Sequence, residues 1–344
     1  MIRIGIICPS EIAFRRFLPA LQKDSRFVFA GIGVASAEEW YGDNFSYNII
    51  ANETRLSNER AKAQEFINIC QTGKIFNSYE SLVKSDDVDA VYLPLPPVLH
   101  YKWTDFALKN GKHAFVEKPF TTNASDTNKL VSLAQTQKLA IHENYMFIYH
   151  DQIRTLKDLV EEGYIGDVRL YRITFGFPRR AQNDFRYNKA LGGGALIDAG
   201  GYTVKYASYL LGPTAKVVTA HLNYIPDFDV DIYGTATMVN DKGTTAQLAF
   251  GMDCDYKCEI EIWGSKGTIV SNRVLTAPAG FTPKYVIKKN QEYESRFLPS
   301  DDAFLKSIDR FYRCIVNDDI RQEEYSLVQM ESNLLTDVIN MANQ

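Results

Sequence analysis

The opening of the chain restricts its fold more than any other stretch. Residues 2–8 form a short apolar run suited to a buried strand, residues 10–21 carry apolar side chains at helical spacing, and residues 27–35 form a second apolar run. Strand, helix and strand inside 35 residues make a βαβ unit. Parallel neighbours need such a crossover, so the first part of the chain is expected to build a doubly wound, nucleotide-binding sheet. The rhythm continues with a helix over 59–70, a buried strand over 88–94 and a helix over 101–110 stopped by Gly111. A strand over 113–117 closed by Lys118-Pro119, a helix over 126–137 and a short strand over 140–144 complete it. Residues 38–58 are polar and too long for an ordinary connection; they read as an irregular insertion.

The pattern changes near residue 150. A helix over 152–162 and a strand over 168–175 lead to a glycine-rich element at 192–211. Period-2 alternation then marks strands at 216–224, 233–239, 244–251 and 257–263, which is the pattern of an open, largely antiparallel sheet with one buried face. Helices are expected at 302–316 and 325–342. The fold class is therefore α/β, with a dinucleotide-binding domain over 1–121 and a substrate-binding and oligomerisation domain over 122–344. The C-terminal helices are free to pack back on the first domain.

Composition removes several function classes. The chain has 344 residues, a net charge of −4, 45% hydrophobic and 23% charged residues. A mildly acidic chain lacks the footprint of a nucleic-acid binder. No window approaches the roughly 20 apolar residues that span a bilayer. The N-terminus reads as a strand rather than a leader, and five scattered cysteines suit a reducing cytoplasm. Cys254 and Cys258 have metal-ligand spacing but no second pair, so no metal is expected.

The first strand–helix turn is Cys8-Pro9-Ser10-Glu11-Ile12, followed by Ala13. It lacks the fingerprint glycines, yet a helix N-terminus still offers N–H groups to a pyrophosphate. The second strand ends in Ala35-Ser36-Ala37, with no acidic residue to read a ribose 2′-hydroxyl. Ser36 with Arg15 or Arg16 would suit a 2′-phosphate, which favours NADP, with NAD as the alternative. Glu117-Lys118-Pro119 closes a strand whose carboxyl end faces the expected crevice, where a lysine stabilises charge on a reacting oxygen. Gly192-Gly193-Gly194-Ala195-Leu196-Ile197-Asp198-Ala199-Gly200-Gly201-Tyr202 puts a carboxylate and a phenol four residues apart, on one helix face, where they suit acid–base work.

Taken together, Glu117-Lys118-Pro119, Glu143-Asn144-Tyr145-Met146-Phe147, the 192–202 element and Trp263-Gly264-Ser265-Lys266-Gly267-Thr268 resemble the Gfo/Idh/MocA oxidoreductases. Ile12-Ala13-x-Arg15-Arg16-x-Leu18-Pro19-Ala20 and a tyrosine at 202 are similar to the nucleotide-sugar 3-ketoreductases of that family. The resemblance implies a Rossmann domain followed by an α/β domain with a large open sheet. It implies Lys118, Tyr202 and Asp198 as catalytic residues, Asp198 as the carboxylate that positions substrate, with Arg186 and Asn144 toward substrate. Cys8 to Ile12, Arg16, Ser36, Leu95, Pro96, His100 and Glu117 would line the cofactor. Hydride would pass between nicotinamide and a ketone or secondary alcohol of a sugar or sugar nucleotide, with Tyr202 moving the proton and Lys118 polarising the oxygen. A free sugar, an inositol or a dihydrodiol is the alternative substrate class, and a non-catalytic dinucleotide sensor the alternative function. Retention of Lys118 together with Tyr202 favours the enzyme. The open sheet predicts a homodimer or homotetramer.

Overall fold

The computed structural model describes residues 1–42 and 49–343. The chain forms two compact units. The first comprises Met1–Phe120, Asp126–Asn144 and Ser307–Ser326; the second comprises Thr121–Ser125, Tyr145–Lys306 and Leu327–Gln344.

The first unit is built on a six-stranded sheet in the order β3-β2-β1-β4-β5-β6. Its strands are β1 (Ile2–Ile6), β2 (Phe27–Gly33), β3 (Lys74–Phe76), β4 (Ala90–Leu93), β5 (His113–Val116) and β6 (Ile141–Glu143), and every pairing is parallel. β4 is buried at every residue, as a sheet covered on both faces requires. The order reverses between β1 and β4, so the carboxyl ends of these strands form the topological switch point where ligands bind in such sheets.

Three expectations change. A single cut after residue 121 does not divide the chain: β6 pairs with β5 and so belongs to the first sheet. Residues 307–326 also join the first unit. In the stretch 38–58, residues 43–48 lie outside the described residues; on either side of them Ala37–Tyr41 is a short helix and a longer helix runs over Ile49–Cys70, ten residues earlier than expected. The helix after β4 spans Pro97–Lys109, beginning at Pro97 because Pro at the first helical position costs no hydrogen bond; His100 therefore sits on a helix rather than in a loop.

The second unit holds an eight-stranded sheet in the order β14-β13-β12-β11-β7-β10-β9-β8. These strands are β7 (Val168–Gly176), β8 (Lys216–Tyr224), β9 (Asp231–Val239), β10 (Thr245–Gly251), β11 (Lys257–Gly264), β12 (Thr268–Asn272), β13 (Lys284–Lys289) and β14 (Glu292–Phe297). All pairings are antiparallel except β7 with β10. Tyr171, Ile173 and Phe175 of β7, Ile260 and Ile262 of β11, and Leu248 and Phe250 of β10 point into one core with Val204, Tyr206 and Ala207 of the helix Gly201–Leu211. Among the described residues, no helix is long and apolar enough to cross a membrane and no cluster of His, Cys, Asp or Glu is placed to hold a metal ion.

Candidate active site

The chemistry-bearing residues fall into two groups, one in each unit. In the first unit, the helix after β1 opens at Glu11 and continues through a π turn over Ala13–Phe17. Ser10 caps it, its hydroxyl accepting from the Ala13 N–H at 3.2 Å. The first N–H groups of a helix have no carbonyl a turn earlier, so this end presents donors at the switch point of the sheet and fits a pyrophosphate. The Cys8 thiol turns away, toward the Pro94 carbonyl at 3.3 Å, and burial pushes its pKa up to about 12.

At the end of β2, Ser36 is occupied as a helix cap. Its hydroxyl accepts from the Glu39 N–H and its own N–H donates to the Glu39 carboxylate at 2.8 Å. Glu39 also accepts from the N–H groups of Tyr79 and Glu80. Beside this cap lies Arg55, which the sequence reading passed over. Its guanidinium donates to the Ala35 carbonyl at 3.1 Å, pairs with Glu59 at 3.1 Å and stacks 4.9 Å from the Trp40 ring. Arg55 brings positive charge to the position expected to read the ribose.

Lys118 follows β5 on a loop held at three points. Glu117 Oε1 accepts from the Tyr92 hydroxyl at 2.7 Å and from Asn144 Nδ2 at 2.6 Å. His100 Nδ1 lies 2.7 Å from the Pro119 carbonyl, and the Lys118–Pro119 bond is cis. The Phe120 N–H donates to Glu143 at 2.8 Å. Burial raises the Glu117 pKa, against the hydrogen bonds of Tyr92 and Asn144 and the charge of Lys118. A half-buried lysine between clamped neighbours is held in place before any substrate arrives.

Two residues expected at ligand also have partners inside the protein. His100 is fully buried, and its Nε2 faces the Leu95 carbonyl at 2.8 Å. Both ring nitrogens thus face carbonyl oxygens, between the Leu95-Pro96 turn and Pro119; burial lowers the His100 pKa to about 4, against these two backbone hydrogen bonds. Asn144 is 1% exposed, its amide nitrogen donating to Glu117 and its oxygen accepting from Ser307.

In the second unit, Arg186 Nε donates to Asp198 Oδ2 at 2.7 Å, and Arg186 Nη1 to Asp184 at 3.1 Å. Burial opposes the charge on Arg186, but the two carboxylates outweigh it and raise its pKa. The Arg186 carbonyl also accepts from the Gly194 N–H at 2.9 Å. Gly194 has φ +123°, and a Cβ there would meet Asp231 Oδ1 at 2.4 Å. Asp231, at the start of β9 and 8% exposed, accepts from the Leu196 N–H at 2.7 Å. It anchors the π turn Leu196–Gly200 that carries Asp198. Burial pushes the Asp231 carboxyl up to about 6, against these backbone hydrogen bonds. Tyr202, in the first turn of the following helix, is 9% exposed and lies edge-on to Tyr145 and Phe175, each with ring centres 5.2 Å away. Neither Asp231 nor Arg55 belongs to a short motif; each becomes visible only through what it touches.

Residues 25–145 match the oxidoreductase family's NAD-binding Rossmann fold, and residues 153–270 match the GFO/IDH/MocA C-terminal domain. A dTDP-3,4-didehydro-2,6-dideoxy-alpha-D-glucose 3-reductase of Actinomadura kijaniata is 36% identical, over 98% of this chain and 94% of its own. The reductase of the same name from Streptomyces violaceoruber is also 36% identical, over 91% of this chain and 85% of its own. Among solved structures, a 3-ketoreductase of Actinomadura kijaniata in complex with NADP and TDP-benzene superposes with a TM-score of 0.87 at 34% identity, covering 98% of this chain and 97% of its own. Variants of it with a tyrosine replaced by phenylalanine and a lysine replaced by alanine have been solved too. The chain belongs to the GFO/IDH/MocA oxidoreductase family, with an NAD-binding Rossmann domain followed by the family's C-terminal domain.

Proposed function

We propose that this oxidoreductase uses NADPH to reduce the ketone of a dTDP-linked deoxysugar at its 3-position. The observation that carries this reading is the likeness, over nearly the whole chain, to reductases of that name. A second observation supports the residue roles. The lysine and tyrosine replaced in the solved 3-ketoreductase are separated along that chain by the same distance as Lys118 and Tyr202 here.

The donors at the start of the first helix hold the pyrophosphate, and Arg55 with Ser36 faces the ribose phosphate. When bound, the cofactor supplies the hydride. Lys118 hydrogen-bonds the ketone oxygen and stabilises the negative charge that grows there. Tyr202 gives that oxygen its proton. Asp198, fixed by Arg186, orients a neighbouring hydroxyl of the sugar. The outward face of the larger sheet carries Tyr233, Trp263 and Tyr293, which the strand register places on one side and which are 46%, 52% and 69% exposed. This face supports self-association, and a species of 39.0 kDa alone in sedimentation would contradict it.

The test is kinetic. Tyr202→Phe and Lys118→Ala each lower kcat for a dTDP-3-keto-2,6-dideoxysugar by about a hundredfold or more, with NADPH affinity kept within a few fold. Undiminished turnover in both variants removes the assignment.

A further inference from the structure

The strand end that carries Lys118 is wired to the C-terminal part of the chain through side chains the reaction does not touch. Behind Asn144, the Ser307 hydroxyl donates to Asn144 Oδ1 at 2.8 Å. Ser307 Oγ also lies 2.8 Å from His142 Nε2, and His142 Nδ1 lies 2.7 Å from Glu324 Oε1. The other Glu324 oxygen accepts from Arg310 Nε at 2.8 Å. His142 and Ser307 are fully buried, Asn144 is 1% exposed and Glu324 3%.

The roles of donor and acceptor along this chain follow from the number of protons each group owns. Asn144 turns its NH₂ to the Glu117 carboxylate, so its oxygen faces Ser307 and takes the single hydroxyl proton. Ser307 Oγ then acts as an acceptor toward His142, and Nε2 must carry a hydrogen. Nδ1 meets a carboxylate at hydrogen-bond distance and must carry one as well. The ring is therefore an imidazolium, balanced by Glu324. Burial works against the charge on Glu324, yet His142 and Arg310 outweigh it and hold its pKa down at about 2. The opposite order, with the amide flipped and the ring singly protonated, sets Asn144 Oδ1 against Glu117 and requires a proton on Glu117.

We propose that Ser307 and His142 are positioning residues for Lys118: an imidazolium at 142 fixes the direction of a buried hydrogen-bond chain that locks Glu117 as a carboxylate next to the lysine. Hydrogen bonds of this kind, closed off from water, strengthen one another and specify a single arrangement. The return of residues 307–326 to the first unit thus contributes to function as well as to burial.

The inference rests on the role proposed for Lys118, so the experiment has two arms. In the first, the full-length protein is labelled with ¹⁵N-histidine, and the ring signals of His142 are assigned by their loss in His142→Gln. Protons on both ring nitrogens at pH 7 are expected; a singly protonated ring overturns the proposal whatever the enzyme reduces. In the second, Ser307→Ala lowers kcat about tenfold with NADPH affinity unchanged within twofold, and Ser307→Thr, which keeps the hydroxyl, recovers most of it. Wild-type kcat in Ser307→Ala, or a loss that threonine does not rescue, overturns the positioning role. Should the wild type reduce no keto-sugar nucleotide, the functional reading fails while the first arm still decides the hydrogen-bond chain. The first arm also decides it if Ser307→Ala does not fold.

Discussion

Replacing Gly201 with alanine perturbs the residue next to Tyr202 without removing any polar group. A Cβ at 201 would sit 2.0 Å from the Tyr145 hydroxyl oxygen and 3.1 Å from Tyr145 Cζ. An ordinary contact is about 3.5 Å, so the hydroxyl must retreat by more than about 1 Å. Tyr145 is fully buried and its ring meets that of Tyr202 edge-on at 85°, so the displacement passes to Tyr202. Overpacking of this kind costs about 1–3 kcal/mol, which corresponds to a fall in Tm of roughly 3–10 °C. A shift of about 1 Å in a proton donor costs up to about a hundredfold in kcat, so activity should suffer more than stability. The assay pairs thermal unfolding with steady-state kinetics on Gly201→Ala, Tyr145→Phe and the double variant. Removing the hydroxyl opens the space, so the double variant should regain most of the Tm and kcat that Gly201→Ala loses. Gly201→Ala with wild-type Tm and kcat, or a double variant worse than both singles combined, would refute the packing argument.

Asp231 gives a pH signature. Its folded pKa of about 6 lies above the ordinary 3.8, so charging it costs stability: nothing below about pH 4, and about 3 kcal/mol once the pH passes 6. The stability of the wild type relative to Asp231→Asn should therefore fall as pH rises from about 4 to 6; a difference that does not vary with pH in urea titrations would exclude this. Cys8, with its pKa near 12, should react with iodoacetamide at pH 8 more than about tenfold slower than the exposed Cys254, and equal rates in peptide mapping would contradict the burial. NADPH should bind more tightly than NADH, and Arg55→Ala should narrow that gap with little effect on NADH. An unchanged ratio by fluorescence titration would remove Arg55 from the phosphate.

The first unit was legible wherever apolar runs are short and bounded, as at β1, β2, β4 and β5. Alternation likewise announced β8 to β11. Several stretches escaped, among them β3, β12 to β14 and the first ten residues of the helix Ile49–Cys70. The residues that this helix buries, Ala63 and Phe66, both lie in the half that was expected. The hairpin of β13 and β14 turns at Asn290 and Gln291, with φ of 48° and 71°; glutamine in that conformation carries none of the signal of an Asn-Gly turn. In the candidate site, Lys118, Asp198 and Tyr202 could be picked out because each sits in a compact motif. The partners that hold them could not. Asp231 is 35 residues from Leu196, and Glu324 is 182 from His142, so neither pairing leaves a local pattern. The same absence of local signal hid the partners of His100, the Leu95 and Pro119 carbonyls, and of Asn144, Glu117 and Ser307.

The central claim is a proton and a hydride delivered to one sugar ketone. The most direct measurement follows NADPH absorbance with dTDP-3,4-didehydro-2,6-dideoxyglucose for the wild type, Lys118→Ala and Tyr202→Phe, with cofactor binding measured alongside. The account predicts stoichiometric NADPH oxidation by the wild type and a loss of about a hundredfold or more in each variant, at nearly unchanged cofactor affinity. Cofactor binding with no oxidation by the wild type, or full turnover in both variants, would contradict it.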